Sequence, residues 1–384
     1  MKGVANFFSD VGHALNPSKS TFSGAMDIVV IQSPEGFLNS TPFYVKFGKF
    51  KSIGTREGLI EVKINHNPTG VLMKLTNCGK AIFCRDQGSL FQSSPKDHQE
   101  DPKNLCPLNH SNHQGYPIEQ NLTKHKKRTN SAENLVYLQK EENFSDSDSL
   151  KVLQKYLENQ EIELTAEELA LFSLKPGLNI ISYEFISDPE ITLNAKIYLW
   201  SFRSKLIISD IDGTVTKSDI LGHLFYMIKK DWKTKGVVDL YMKLRKKGYQ
   251  IIYLSARAMD QIDYTRQYLA WIVENEKHMP DGPVLLSPNG LFTSFAREIT
   301  NSAHNFKINS LKQILSLFPV YHYPFYAGFG NRKGDAIAYF NSGIDSKRIF
   351  IVTSKKKHDQ MFRTIEDFRD IIQEIEEKFP VIDD

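Results

Sequence analysis

Ile207-Ile208-Ser209-Asp210-Ile211-Asp212-Gly213-Thr214-Val215-Thr216 is the stretch around which the rest of the chain is arranged. An apolar run from Leu206 to Ile208 enters it and reads as a buried parallel strand. Asp210 and Asp212 stand at i and i+2. Alternate side chains of a strand share a face, so both carboxylates can point at one spot. Gly213 allows a sharp turn directly after them. Thr214 puts a hydroxyl at the strand's carboxyl end, where open α/β sheets bind ligands and where phosphate oxygens need donors.

Two carboxylates so arranged can divide a phosphoryl transfer between them. One can attack phosphorus and form an aspartyl-phosphate. The other can protonate the leaving oxygen and later deprotonate water. A divalent cation is needed to keep two acids and a phosphate together. Many turns carry Asp, Gly and Thr with no catalytic role. D-x-D-G-T directly after an apolar strand nevertheless resembles the first motif of the haloacid-dehalogenase (HAD) phosphatase superfamily.

Downstream, strand and helix patterns alternate as in a doubly wound parallel sheet. Helices fit 218–230 and 234–247, and the strand 250–254 runs into Ser255-Ala256-Arg257. A helix follows to about Glu276, then a strand at 284–287 and a helix from about Asn305 to Phe318. The strand 324–329 leads to Gly330-Asn331-Arg332-Lys333-Gly334-Asp335, which opens a helix, and 348–352 reads as the last strand before an amphipathic terminal helix.

Three of these junctions complete a phosphatase constellation. Ser255 ends a strand, so its hydroxyl and the neighbouring backbone amides at Ala256 and Arg257 can take phosphate oxygens. Lys307, near a helix start, can neutralise the phosphate and the nucleophile. Asn331 and Asp335 follow another strand end and offer oxygen ligands for Mg²⁺. Singly, each has a plainer reading as a turn residue, a solvated lysine or a helix cap. In this order, each at a strand end or helix start, coincidence is a poor explanation. Only helices and a strand fit between Thr214 and Ser255, and again between Ser255 and Lys307, which leaves no room for a substantial cap domain. An open site suits a substrate held on a protein or a membrane, since small metabolites usually want enclosure.

The amino-terminal half has a different texture. The whole chain, 384 residues, is long enough for two domains, with 41% hydrophobic and 24% charged residues and a net charge of +3 that implies no bulk polyanion partner and no nucleic acid. Cys78, Cys84 and Cys106 fit neither a disulfide framework nor a zinc pattern, which favours a reducing compartment. No apolar run is long enough to span a bilayer, and the amino terminus lacks a signal peptide's apolar core. Val4, Phe7, Phe8, Val11 and Leu15 fall on one helical face within residues 1–20. Such a face packs on its own domain or lies in a membrane interface, where the single lysine before Pro17 gives little electrostatic help. Residues 21–92 read as five short strands, at 27–31, 43–47, 59–64, 70–75 and 81–84, part of a β-sandwich. Residues 93–150 are a polar, disordered linker carrying the basic cluster Lys124-His125-Lys126-Lys127-Arg128, most simply a solvated charge run. Residues 151–200 hold one short helix, to about 172, and strands at 178–185 and 192–200, so that seven strands from both sides of the linker complete one sandwich. Residues 201–384 form the catalytic domain.

Asp210-Ile211-Asp212-Gly213-Thr214 with Lys217-Ser218-Asp219, then Leu221-Gly222-His223, Tyr253-Leu254-Ser255-Ala256-Arg257-Ala258, Leu285-Leu286-Ser287-Pro288 and Phe329-Gly330-Asn331-Arg332, resembles the catalytic half of the lipin family of Mg²⁺-dependent phosphatidate phosphatases. Met1-Lys2 through Val11-Gly12, and Thr41-Pro42-Phe43-Tyr44-Val45-Lys46-Phe47-Gly48-Lys49, are similar to that family's amino-terminal region. The resemblance implies hydrolysis of phosphatidate to diacylglycerol and phosphate. It implies Asp210 as nucleophile and Mg²⁺ ligand, Asp212 as general acid/base binding Mg²⁺ through its carbonyl, Ser255 and Lys307 on the phosphate, and Asn331 and Asp335 completing the metal site. It further implies an immunoglobulin-like sandwich assembled from both terminal regions, a membrane role for residues 1–16, and a cytoplasmic protein held peripherally and reversibly on the endoplasmic reticulum, with the nuclear envelope as an alternative. Leu221-Gly222-His223-Leu224-Phe225 departs from the L-x-x-I-L co-activator motif of metazoan lipins, and Asp231-Trp232-Lys233 departs from a family motif with Thr after Trp. Two rival readings are a capless HAD phosphoprotein phosphatase and a non-catalytic lipid-binding regulatory protein.

Overall fold

One apolar strand, Ile28–Gln32, is buried on both of its faces, and the two halves of the chain meet there. The computed structural model describes residues 23–48, 58–84, 162–216, 233–288, 296–353 and 361–382. The amphipathic stretch with Val4, Phe7, Phe8, Val11 and Leu15 therefore lies outside the described residues. So do the polar stretch 93–150 with its basic cluster, the expected helix 218–230, and the motifs Lys217-Ser218-Asp219, Leu221-Gly222-His223 and Asp231-Trp232.

In chain order the first half forms β1 (Gly24–Ala25), β2 (Ile28–Gln32), β3 (Leu38–Ser40), β4 (Val45–Lys46), β5 (Leu59–Ile64), β6 (Asn67–Leu75) and β7 (Ala81–Phe83). Helix α1 (Ala166–Ala170) and the strands β8 (Gly177–Phe185) and β9 (Asp188–Ser201) follow. Seven of these strands hydrogen-bond in the order β3-β2-β9-β8-β5-β6-β7, and β1 pairs separately with β4. All neighbours are antiparallel except β2 and β9, which run parallel. Asn65 and His66 both have positive φ, as a two-residue hairpin between β5 and β6 requires. The sheet curls around a core to which Ile28, Val30, Ile60, Val62, Met73, Tyr183, Phe185 and Ile197 contribute, covered by Phe43, Val45, Phe47 and Leu169. Helix α1 begins at a capping box, with Thr165 and Glu168 exchanging side-chain and backbone hydrogen bonds.

The described residues up to Ser201 thus hold nine strands, where periodicity suggests seven. The two extra ones, β1 and β3, are too short to show a period of two.

The second half runs β10 (Leu206–Asp210), α2 (Val237–Lys246), β11 (Gln250–Ala258), α3 (Ile262–Ala270), β12 (Val273–Glu274), β13 (Lys277–His278), β14 (Val284–Ser287) and α4 (Ala296–Leu315). It ends with β15 (Phe325–Gly330), α5 (Lys333–Asn341), β16 (Ile349–Val352), β17 (Arg363–Ile365), α6 (Arg369–Gln373) and α7 (Ile375–Lys378). Six strands form an all-parallel sheet in the order β14-β11-β10-β15-β16-β17. The order reverses between β10 and β15, so the crevice beyond their carboxyl ends is the expected ligand position. Ile207 on β10 faces a core with Tyr241, Phe329, Phe368 and Phe379, and Ile208 faces the other, with Leu311, Ile314, Ala336 and Tyr339. Val29 and Ile31 of β2 enter that second core, while Ile28 and Val30 enter the core of the curled sheet. Alternation along one strand thereby welds the two sheets.

Three expectations need correction. The helix after β11 ends at Ala270, not near Glu276, because Asn275 and Glu276 take positive φ and turn the chain into the β12–β13 hairpin. Helix α4 begins at Ala296, so Lys307 lies past its middle rather than near its start. The strand 349–352 is not the last: β17 follows, and two short helices replace a single terminal one.

Candidate active site

Asp210 is the last residue of β10, and the chain leaves the strand directly after it. Gly213 takes φ +86°, a conformation L side chains rarely adopt, and breaks the turn Ile211–Val215. Strand alternation therefore does not govern Asp212. The two carboxylates reach different partners, not one shared spot.

Asp210, 3% exposed, is held from two sides. The Thr214 hydroxyl donates to its Oδ2 at 2.9 Å, and Lys307 Nζ donates to its Oδ1 at 2.5 Å. Lys307 reaches the site from the buried stripe Lys307, Ser310, Leu311 and Ile314 of α4, which has helical spacing. The same ammonium donates to Asp335 Oδ1 at 2.5 Å. Asp335 stands in the first turn of α5, and its Oδ2 accepts from the backbone amides of Asn331 and Arg332 at 3.1 and 3.0 Å. Burial, with the carboxylates of Asp335 and Asp212 added, pushes the Asp210 carboxyl up to about 7 against the pull of Lys307. Burial also works against the Lys307 ammonium, but its two carboxylate partners outweigh it and hold its pKa above the ordinary lysine value. Two negative charges share one positive charge in this pocket.

Asp212 turns to β11. Its Oδ2 accepts from Ser255 Oγ at 2.7 Å and its Oδ1 from Arg257 Nη2 at 2.6 Å. Ser255 and Arg257 are buried, and Ala256 between them is half-buried. Of the residues expected on a phosphate, Thr214 thus serves Asp210, and Ser255 and Arg257 serve Asp212.

Four supporting residues escape a reading of the sequence. Ser209 Oγ donates to the Asp210 carbonyl at 2.9 Å and lies 2.6 Å from the Tyr241 hydroxyl of α2. Thr234 Oγ1 donates to the Thr214 carbonyl at 2.7 Å. At Gly330 any Cβ would stand 2.5 Å from the Asp335 Cβ, so the end of β15 must be bare for α5 to bring Asp335 in. A signal exists for Ser209, a polar residue inside an apolar strand next to the first aspartate, and for Gly330, a glycine at a strand end. None exists for Tyr241 or Thr234.

Lys307 brings the carboxylates of Asp210 and Asp335 together at the crevice; the Asp212 carbonyl and the Asn331 amide are the further oxygens that the sequence leads one to expect there. Among the described residues no group of three His, Cys, Asp or Glu side chains is arranged to hold a metal ion, so a cation here needs the carbonyl and the amide as well.

Residues 160–380 match the family model described as LNS2 (Lipin/Ned1/Smp2), and residues 1–102 match the lipin N-terminal conserved region. Curated relatives include "Phosphatidate phosphatase PAH1" of Arabidopsis thaliana, 44% identical over 194 residues, which are 50% of this chain and 22% of that protein. "Phosphatidate phosphatase LPIN1" of Homo sapiens is 40% identical over 214 residues, 55% of this chain and 24% of that protein. "Nuclear elongation and deformation protein 1" of Schizosaccharomyces pombe is 42% identical over 196 residues, 50% of this chain and 30% of that protein. The matches thus span less than a third of the length of these relatives. The LNS2 match alone takes in more than half of the chain and every residue of the site just described, and on that ground the chain belongs to the lipin family.

Proposed function

We propose that the chain is a phosphatidate phosphatase that releases diacylglycerol and phosphate through an aspartyl-phosphate on Asp210. The observation that carries this reading is the buried Asp210, oriented by Thr214 and paired with Lys307 at the switch point of a parallel sheet. That geometry stands in a chain 40% and 44% identical over about half its length to proteins named phosphatidate phosphatase.

Thr214 fixes one oxygen of Asp210 so that the other can be aimed at phosphorus, and Lys307 faces the developing charge. Asp212 serves as acid and then base. Ser255, Lys307, Arg257 and the amides at Ala256 and Arg257 take the phosphoryl oxygens. The donors fit a hard divalent cation. They are all oxygens, and the two buried carboxylates of Asp210 and Asp335 share a single ammonium, a surplus of negative charge that a cation relieves. Asp210, Asp335, Asn331 and the Asp212 carbonyl would hold Mg²⁺, which supplies positive charge to the phosphoryl oxygens.

The finer architecture is part of the same proposal. Residues 201–384 are a HAD-like domain without a substantial cap. The support is that the described chain between β10 and α4 forms α2, α3, two short turns at 211–215 and 259–261, one short hairpin and sheet strands. Residues 21–92 and 151–200 form an immunoglobulin-like sandwich, with 93–150 as a linker between its parts; that β2 and β9 are neighbours in one sheet supports this. No helix among the described residues is long and apolar enough to cross a membrane. We assign membrane contact to residues 1–20, on the endoplasmic reticulum or nuclear envelope. Deleting residues 2–15 should weaken flotation with phosphatidate-containing liposomes, and unchanged flotation would refute that assignment.

The decisive experiment is phosphate release from phosphatidate in detergent micelles, with Mg²⁺ or EDTA, for wild type and Asp210→Asn. Mg²⁺-dependent release that the substitution abolishes is expected. Release from phosphopeptides or aryl phosphates but not from phosphatidate would keep the phosphatase and discard the lipid. No release from any of them would leave the non-catalytic reading.

A further inference from the structure

Both oxygens of Asp212 are engaged, and by donors on another strand. Ser255 Oγ, which gives its proton to Oδ2, also accepts from the Arg257 amide at 3.2 Å, so hydroxyl and guanidinium are tied into one unit. Arg257 is 4% exposed. Besides Asp212, its guanidinium reaches Thr265 Oγ1 at 3.4 Å and lies 5.6 Å from the Tyr268 ring. Its Nε is buried with no hydrogen-bond partner among the described residues. A buried guanidinium normally spends all its N–H groups, and an unmatched one costs free energy. A guanidinium fork with a spare N–H and a hydroxyl beside it is a seat for an oxyanion with more acceptor oxygens than a carboxylate has.

We propose that Arg257 and Ser255 form a single anion seat that Asp212 and the phosphoryl group of the substrate occupy in turn. The inference rests on the phosphatase reading above and adds to it a role for Arg257 as a positioning residue of Asp212. With Asp212 seated, its carboxylate is not free to turn to a leaving oxygen or to a water. A phosphate monoester brings more negative charge and three acceptor oxygens. It takes the two donors, and Asp212 is released to its acid/base task. No covalent bond changes in this exchange. Substrate binding itself prepares the acid.

Binding of inorganic phosphate, followed by calorimetry, tests this without requiring turnover. Asp212→Ala empties the seat, so the variant should bind phosphate roughly tenfold more tightly or better than wild type, the factor that one charge-assisted hydrogen bond is worth. Loss of a nearby negative charge alone would also tighten binding. The double variant Asp212→Ala/Arg257→Met separates the two causes, and it leaves no unpaired buried charge to prevent folding. If the seat exists, the gain disappears in the double variant and is partly kept in Asp212→Ala/Arg257→Lys. No tightening in Asp212→Ala, or a gain that survives Arg257→Met, would overturn the proposal. Phosphate release from phosphatidate micelles by wild type, measured alongside, reports separately on the phosphatase reading. Its absence, together with absence of release from p-nitrophenyl phosphate, would end that reading and leave the binding result to decide the seat.

Discussion

Asp210 is placed at a cost to the fold. Its carboxyl, ordinarily near 3.8, is pushed up to about 7 by burial and by the neighbouring carboxylates. The sign of the consequence is fixed. Between those two values the folded state keeps a proton that the unfolded chain releases, so the contribution of Asp210 to stability falls as pH rises through that window and stays low above it. Without divalent cation, wild type should therefore lose stability relative to Asp210→Asn as pH is raised from about 5 to about 8. The difference in Tm between the two proteins in EDTA, read across that range, measures it. A difference that does not change with pH would show that Lys307 neutralises Asp210 completely. Mg²⁺ should shrink the pH dependence of wild type and leave the variant unmoved. At this scale the sequence is readable where chemistry dictates residue type. D-x-D-G-T, Ser255, Lys307 and Asp335 all converge on the crevice. What is not readable is who pairs with whom. Arg257 enters the sequence reading through its backbone amide; that its guanidinium holds Asp212 is not readable, because the direction Asp212 takes beyond the strand end depends on the kink at Gly213.

The elements bring these groups together through close approach. Gly330 ends β15 and Asp335 stands in the first turn of the next helix, with 2.5 Å between the position of an added Cβ and the Asp335 Cβ. Gly330→Ala must push α5 outward or rotate Asp335 off Lys307. Overpacking of this kind costs about 1–3 kcal/mol, and a shift of about 1 Å in a catalytic group can cost a hundredfold in rate. Urea unfolding and phosphate release should both fall in the variant. Full activity with an unchanged midpoint would show that the β15–α5 turn yields freely. Strands with a buried stripe were legible, such as β5, whose expected and observed limits agree at 59–64. The long α4 was partly legible. Its buried stripe gives the face, but its start at Ala296 lies well before the apolar spacing becomes regular. The β12–β13 hairpin was missed because Val273-Glu274 and Lys277-His278 are too short to carry a period, and the turn rests on two residues with positive φ, neither of them glycine.

Across the whole molecule, one buried carboxylate ties the curled sheet to the parallel sheet. Asp27, 1% exposed, precedes β2. Its Oδ1 accepts from the Lys196 amide of β9 at 2.8 Å and from Arg266 Nη2 of α3 at 2.6 Å, and its Oδ2 accepts from the Val284 amide of β14 at 2.8 Å. Arg266 also donates to the Ala25 carbonyl at 2.7 Å and to Asp263 at 2.9 Å. β14 borders β11, which carries Ser255 and Arg257, so this junction lies one strand away from the phosphate seat. Removing one member of a buried ion pair costs about 3–5 kcal/mol, and since Arg266 keeps Asp263 and the Ala25 carbonyl, the lower end of that range applies. Asp27→Ala should therefore lower global stability by roughly that amount. Because β2 is buried in both cores, the loss should shift one cooperative transition rather than split it. Trp200, one of three tryptophans, sits in the core that the two sheets share, so tryptophan fluorescence of a variant that keeps Trp200 alone and the far-UV circular dichroism should have coincident urea midpoints with and without Asp27→Ala. Midpoints that separate with Asp27→Ala would mean that the curled sheet can unfold alone and that the junction is a contact between two independent domains. Coincident midpoints, moved together, would mean that the amino-terminal strands are part of one fold with the parallel sheet, and that losing them removes the floor on which Ser255 and Arg257 stand.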